Sequence, residues 1–230
     1  MILYAIPTPL GGAPEAALPA PALQKIRSIR DFAVENAKSA RAFLGALGMP
    51  VRELNILTIE VDVSVLLNPL REGRPLGLLS EAGCPAIADP GAALVEAAHR
   101  GGFRVVPLVG PSAFTLALMA SGLEGQRFAF CGYLPREGSA RTRRIRELEK
   151  RSRAESETEI FIETPYRNQA VLDALVKTCN AETLLCIATD LTLPGESITT
   201  RNIAAWRRAR VTLGRCPAVF LLLADRRRSA

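Results

Sequence analysis

Apolar residues fall along the first half of the chain in short runs separated by helical patterns. Ile2–Ile6 is a continuous apolar run suited to a strand buried on both faces, and the loop PTPLGGAP follows it. The 3.6-residue spacing predicts helices over 22–30 and 37–47, the second stopped by Gly48 with Pro50 just beyond. Between them 32–34 reads as a short strand, and 54–59 as a β-rich segment. A helix over 63–70, a buried strand over 76–79 and a long loop come next. They are followed by a helix over 92–100, a strand over 104–107 and a helix from Ser112 to about Ser121. Strand and helix alternate, which predicts a parallel sheet with helices on its faces.

The segment SGLEGQ, Ser121 to Gln126, is rich in turn formers and marks a boundary between a lobe of 1–121 and a lobe of 122–230. The second lobe restarts with strands over 128–131 and 159–162 around a helix over 139–153. A helix over 168–178 and a strand over 183–188 follow. Segments 197–200 and 218–223 read as antiparallel partners, with a helix over 203–208 between them. The expected fold class is therefore α/β, in two α/β lobes of similar size, and a cleft between such lobes is a common place for a small ligand. The end RRRSA reads as a charged tail.

Charge changes the picture of the second lobe. Residues 1–115 carry ten basic and ten acidic side chains, so the whole excess of +6 lies in the remaining half. A polyanion as partner of that half is one reading, and the heavy use of Arg over Lys in an Ala-rich chain is a plainer one. The single histidine, His99, closes a helical pattern at a Gly-Gly stop, where an imidazole suits the helix dipole. One histidine and five cysteines with no CxxC spacing speak against a metal site and a disulfide framework, and the thiols suit a reducing cytoplasm. No targeting segment is expected in MILYAIPTPL, and the longest apolar stretch, 105–123, is interrupted by Pro107, Gly110 and Pro111, so no membrane span is expected.

Two stretches have the form of ligand loops. LSEAGCPAIADPG (79–91) follows a buried strand and precedes a helix, with Gly83 and Pro85 shaping the backbone and Ser80, Glu81 and Asp89 adding polar groups. VPLVGPSAFT (106–115) runs a strand into Gly110-Pro111 and puts Ser112 at a helix N-cap position. Neither is a phosphate loop, because GxxxxGK[ST] and GxGxxG are both absent. The first could equally be a structural crossover, and a well-capped helix is the plainer reading of the second.

Together with GYLPREGSAR (132–141) and IETPYR (162–167), these stretches resemble the signatures of the tetrapyrrole (corrin/porphyrin) methylase superfamily. Within it the chain is most similar to a side-branch of the ribosomal RNA small subunit methyltransferase I group. The resemblance implies a tetrapyrrole methylase-like fold, a homodimer, and S-adenosylmethionine in the cleft between the lobes, gripped mostly by backbone atoms. It places the cofactor-binding residues at Pro9, Leu10, Ser80, Glu81, Ala82, Pro85, Ile87, Ser112 and Ala113 in the first part of the chain. In the second part it places them at Phe130, Gly132, Glu163, Thr164, Pro165, Ala188, Pro217 and Ala218.

The chain departs from the family where the catalytic branch reads AEDTRHTRRLL. Here the segment is VENAKSARAFL (34–44), which keeps Glu35 and Arg41 but has Asn36 for Asp and Lys38 for Arg. A second family stretch, ARELTKxxE, is ATDLTLPGE here, with Asp190 and Glu196 keeping its acidic character. If the acceptor is a ribose 2′-hydroxyl, a general base is needed, and Glu35 is the first candidate, with Asp190 second. Lys38 and Arg41 are candidate electrostatic partners. A solvated carboxylate beside Lys38 and Arg41 is the plainer reading of Glu35.

The run RTRRIRELEKRSR (141–153) holds seven basic and two acidic residues on a predicted helix. That suits either contacts to RNA phosphates or an ordinary solvated face. The expected activity is 2′-O-methylation of small-subunit ribosomal RNA, with the small ribosomal subunit or its RNA as partner. Methylation of a different, small-molecule acceptor and a non-catalytic, ribosome-associated cofactor-binding role remain open.

Overall fold

Five short strands, β1 (Ile2–Ile6), β2 (Asp31–Val34), β3 (Asn55–Thr58), β4 (Leu76–Leu79) and β5 (Arg104–Pro107), form a sheet in the order β3-β2-β4-β1-β5. Every pairing in it is parallel. The structure, a computed structural model, describes residues 1–224; the charged RRRSA tail lies outside them. Helices α1 (Pro14–Ala17), α2 (Ala20–Arg27), α3 (Ala37–Ala46), α4 (Val63–Leu66), α5 (Asn68–Arg71) and α6 (Ala92–Arg100) supply the crossovers.

Side-chain alternation along the strands gives each sheet face its own core. Leu23, Ile26, Ala40 and Leu44 of α2 and α3 pack with Tyr4, Ile6, Phe32, Val34 and Leu79. Leu66, Leu70, Leu94 and Ala98 of α4, α5 and α6 pack with Leu3, Ala33, Leu76 and Leu78 on the opposite face. Gly77 in β4 lets Phe32 and Ile6 close over it, since a Cβ there would stand 2.7 and 2.8 Å from their ring and methyl carbons.

Helix α7 (Ala113–Ser121) opens a second unit, which continues with strands β6 (Phe128–Tyr133), β7 (Thr158–Glu163), β8 (Leu184–Thr189), β9 (Ser197–Asn202) and β10 (Ala218–Leu223). Its helices are α8 (Gly138–Glu155), α9 (Asn168–Thr178) and α10 (Ile203–Ala209). The sheet order is β6-β7-β10-β8-β9; β6 and β7 run parallel and the other pairings are antiparallel. Strand β10 is buried along its whole length, with Phe220 and Leu222 in a core shared with α8, α9 and α10. Phe161 and Phe220 stack there, ring centroids 5.7 Å apart and ring planes nearly parallel, a contact of about 1 kcal/mol beyond their burial.

Several elements differ from expectation. The boundary lies before α7, after Ser112, whereas the sequence placed it after Ser121. Helix α7 packs on β10, β9 and β7, and Thr200 donates to the Ser121 carbonyl at 2.7 Å, which binds the SGLEGQ segment into the second unit. The single helix expected over 63–70 is two, because Pro69 at the start of α5 lacks the N–H that would continue α4. The helix expected from Ala22 begins at Ala20, with Pro21 in its first turn, and α1 forms from the end of the expected loop, where no element was expected. The expected pair 197–200 and 218–223 does not form. Strands β9 and β10 flank β8 on either side, each antiparallel to it.

Candidate functional site

In the first sheet the carboxyl ends of all five strands share one edge. Strand β1 leads its chain toward the α2 face and its neighbour β4 leads toward the α6 face, so their carboxyl ends mark the topological switch point of the sheet. Open α/β sheets bind ligands at such a switch point. Thr8 and Gly83 join the two loops with a pair of backbone hydrogen bonds, Thr8 N–H to Gly83 O at 2.9 Å and Gly83 N–H to Thr8 O at 3.0 Å. Gly83 sits at φ +74°, where a side chain would be strained, and its Cα faces Leu10 and the Pro111 carbonyl. Pro9 and Leu10 are half-buried beside it, Ser80 and Pro85 are buried, and Glu81, Ala82 and Ile87 are exposed. Ala86 and Ala88 both take positive φ, 64° and 63°, a conformation that costs on the order of 1 kcal/mol or more per residue and shapes the SEAGCPAIADPG loop.

Glu35 stands at the carboxyl end of β2 and is tied to the same loop, its Oε2 accepting from the Glu81 N–H at 3.0 Å. Ser39 Oγ donates to Glu81 Oε1 at 3.3 Å. Asn36, which replaces the family's Asp, caps α3 by accepting from the Lys38 and Ser39 N–H groups at 2.9 and 3.4 Å. An amide oxygen fills the N-cap role as well as a carboxylate does, so the exchange keeps the local fold while removing a charge. Lys38 is exposed, and Arg41 donates to the Ala37 carbonyl one turn back.

Asp89, read from the sequence as a polar group of the same loop as Glu81, completes an acidic group with Glu35 and Glu81. Partial burial, and then the neighbouring carboxylates of Glu35 and Glu81, push it up to about 6 against a lowering hydrogen bond from Ser80. Its place in the group was invisible to sequence because β2 and β4 are far apart in the chain. Among the described residues no three His, Cys, Asp or Glu side chains are placed to hold a metal ion.

In the second unit the carboxyl ends of β6, β7 and β8 and the start of β10 share an edge. The register puts Ala218 directly beside both Glu163 and Thr189. Glu163 is buried; its Oε1 accepts from the Thr164 N–H at 2.7 Å and its Oε2 lies 3.1 Å from the Arg167 guanidinium. Arg167 in turn donates to the Leu134 and Pro135 carbonyls, both at 3.1 Å, and so fastens the GYLPR segment to the Glu163-Thr164-Pro165 turn.

Gly132 takes φ +63° where the β6–β7 register shifts, and Phe130 stacks on Phe114 of α7 at 5.0 Å. Ala188 is fully buried and paired on both sides, and Pro217 is exposed. Asp190, at φ +49°, donates its N–H to the Pro217 carbonyl at 3.2 Å, and Glu196 accepts from Thr192 N–H at 2.8 Å to close the following turn. Glu35, Lys38, Arg41 and Ser112 thus belong to the first unit, and Asp190 and Ala113 to the second.

Compared with solved structures, the chain matches the crystal structure of uroporphyrin-III-C-methyltransferase from Thermus thermophilus. The TM-score is 0.58, covering 97% of this chain and 94% of that one at 19% identity. The fold is therefore that of the tetrapyrrole methyltransferases. No family model matches the chain. Among curated proteins, ribosomal RNA small subunit methyltransferase I of Vibrio cholerae is 34% identical over 86% of this chain and 67% of its own length. The protein of the same name from Pasteurella multocida is 32% identical over 90% of this chain and 72% of its own length. The chain belongs to the ribosomal RNA small subunit methyltransferase I family, and it is a methyltransferase.

Proposed function

We propose that this chain transfers a methyl group from S-adenosylmethionine to a ribose 2′-hydroxyl of small-subunit ribosomal RNA. The observation that carries the reading is the character of the β1 and β4 loops at the sheet's switch point. Loops 7–13 and 80–91 contain no basic residue, and Glu35, Glu81 and Asp89 gather beside them. A donor set of that kind suits a ligand that carries positive charge and hydroxyls and no phosphate. Pro9, Leu10, Ser80, Glu81, Ala82, Pro85 and Ile87 would hold it there. Ser112, Ala113, Phe130, Gly132, Glu163, Thr164, Pro165, Ala188, Pro217 and Ala218 complete the proposed set. The chemistry S-adenosylmethionine supplies when bound is a methyl group on a sulfonium, open to in-line displacement.

Glu35 is proposed to accept the proton of the acceptor hydroxyl, held in place by the Glu81 N–H bond, with Asp190 as the second candidate base. Lys38 and Arg41 would stabilise charge on the acceptor oxygen. RNA phosphates would meet α8, where Arg143, Arg146 and Lys150 are exposed at spacings of three and four residues and so form one stripe. That stripe favours RNA over a small acceptor. A second copy of the chain is proposed as partner, with the uncharged helix α7 and its outward Met119, 79% exposed, as the surface it would cover. Action on ribosomal subunits would put the protein in the cytoplasm; among the described residues no helix is long and apolar enough to cross a membrane.

Two measurements test the reading. Calorimetric titration with S-adenosylhomocysteine should give micromolar binding at about one per chain. Labelled methyl transfer to 30S particles should be lost in Glu35→Gln while that binding stays. Absence of S-adenosylhomocysteine binding would overturn the methyltransfer reading, and full turnover by Glu35→Gln would overturn the choice of base.

A further inference from the structure

The turn after β7 carries an aromatic side chain that the cofactor reading leaves unused. Tyr166 is 78% exposed, the most exposed aromatic residue of the chain, and the Arg215 guanidinium lies 5.3 Å from its ring centroid. The turn beneath it is stiff. Glu163 is buried and bonded to the Thr164 N–H, and Arg167 spans from Glu163 to the Leu134 and Pro135 carbonyls. An aromatic ring held on a rigid turn, covered on one face by a cation and open on the rest, gives up little conformational freedom when a flat partner settles on it. Tyr133, 53% exposed, stands at the end of neighbouring β6 on the same sheet edge, and exposed Arg136 follows it. Aromatic faces alternating with guanidinium groups are the surface that unstacked nucleobases recognise.

We propose that Tyr166, with Arg215 against it, is a stacking platform for an unpaired nucleobase of an RNA substrate. This rests on the reading of the chain as an RNA methyltransferase and adds the residues that would recognise a splayed base, as distinct from the phosphate contacts of α8. The stack is sequence-tolerant, since every base has a π-face, and Arg215 supplies charge to the adjoining phosphate as well as covering the ring.

The test is fluorescence anisotropy of the full chain with two labelled probes, a short single-stranded RNA and an abasic oligoribonucleotide of the same length. Tyr166→Ala should weaken binding of the base-bearing RNA by about tenfold or more and leave the abasic probe unchanged. Tyr166→Phe, which keeps the ring, should bind both as the unaltered protein does, and Arg215→Ala should weaken both probes. Equal losses for the two probes would make Tyr166 a backbone contact and overturn the platform, as would no loss in Tyr166→Ala. S-adenosylhomocysteine binding by the unaltered protein, measured on the same preparation, separates the two levels. If that binding is present and Tyr166→Ala is silent, only the platform falls. If the unaltered protein binds neither probe nor S-adenosylhomocysteine, the methyltransferase reading falls and the platform with it.

Discussion

Asp89 offers a quantitative check on the acidic group at the carboxyl ends of β2 and β4. Its carboxyl is pushed up to about 6 from an ordinary value of 3.8, by burial first and by Glu35 and Glu81 after it. A shift of about two units corresponds to roughly 3 kcal/mol of folding free energy withheld at neutral pH. Asp89 is only partly buried, so screening by water reduces this to about 1 kcal/mol. The sign follows from proton counting. Between the unfolded and folded values the native state binds more protons than the unfolded chain, so this group lowers stability as pH rises from about 4 to about 6, and its penalty is constant above that.

Asp89→Asn removes the charge and keeps an oxygen for Ser80. Thermal unfolding should show the variant melting higher than the parent by about 2–4 °C at pH 8. The gap should narrow as pH falls toward 4, where the parent's carboxyl is protonated in both states. A gap that is absent at pH 8, or that widens as pH falls, would refute the claim that three carboxylates crowd this edge.

The other expectations concern the same surfaces. Glu35→Gln should lower kcat by about 10²–10⁴-fold with little change in S-adenosylhomocysteine affinity, read by single-turnover methylation and calorimetry. Replacing Arg143, Arg146 and Lys150 together by Ala should flatten the slope of log affinity against log salt for single-stranded RNA by about two, at some 0.7 per phosphate contact, while leaving the melting temperature within about 1–2 °C. Gly110→Ala should destabilise by about 1–3 kcal/mol in urea denaturation, because its Cβ would stand 2.4 Å from the Pro7 Cβ and 2.8 Å from Leu18 Cδ2, and a proline ring cannot swing aside.

Most of the elements were legible in the sequence because each was written in a local signal. The runs at Ile2–Ile6 and Leu76–Leu79 are apolar throughout since strands covered on both faces have no polar side to show, and both became central strands of the parallel sheet. The Gly-Gly after Arg100 ended α6 where expected, and the turn chemistry of SEAGCPAIADPG marked the loop that follows β4. The misplacements have local causes too. A polar, turn-rich segment at 121–126 looks like a hinge, yet a chain boundary is set by what a helix packs on, and α7 packs on the second sheet.

By itself, then, the sequence determined the α/β class, the parallel first sheet, the loops that follow β4 and β5 and the family resemblance, since these depend on periodicity and on motifs read along the chain. Only the tertiary structure decided the strand orders β3-β2-β4-β1-β5 and β6-β7-β10-β8-β9. It alone brought Asp89 to Glu35 and Glu81, and showed that Arg167 locks Glu163 while Tyr166 stands open to solvent. The physical reason is range. Side-chain alternation and turn propensity act over a few residues, whereas strand pairing, the meeting of carboxylates and the exposure of one ring depend on contacts between segments far apart in the chain, which the sequence pattern leaves unspecified.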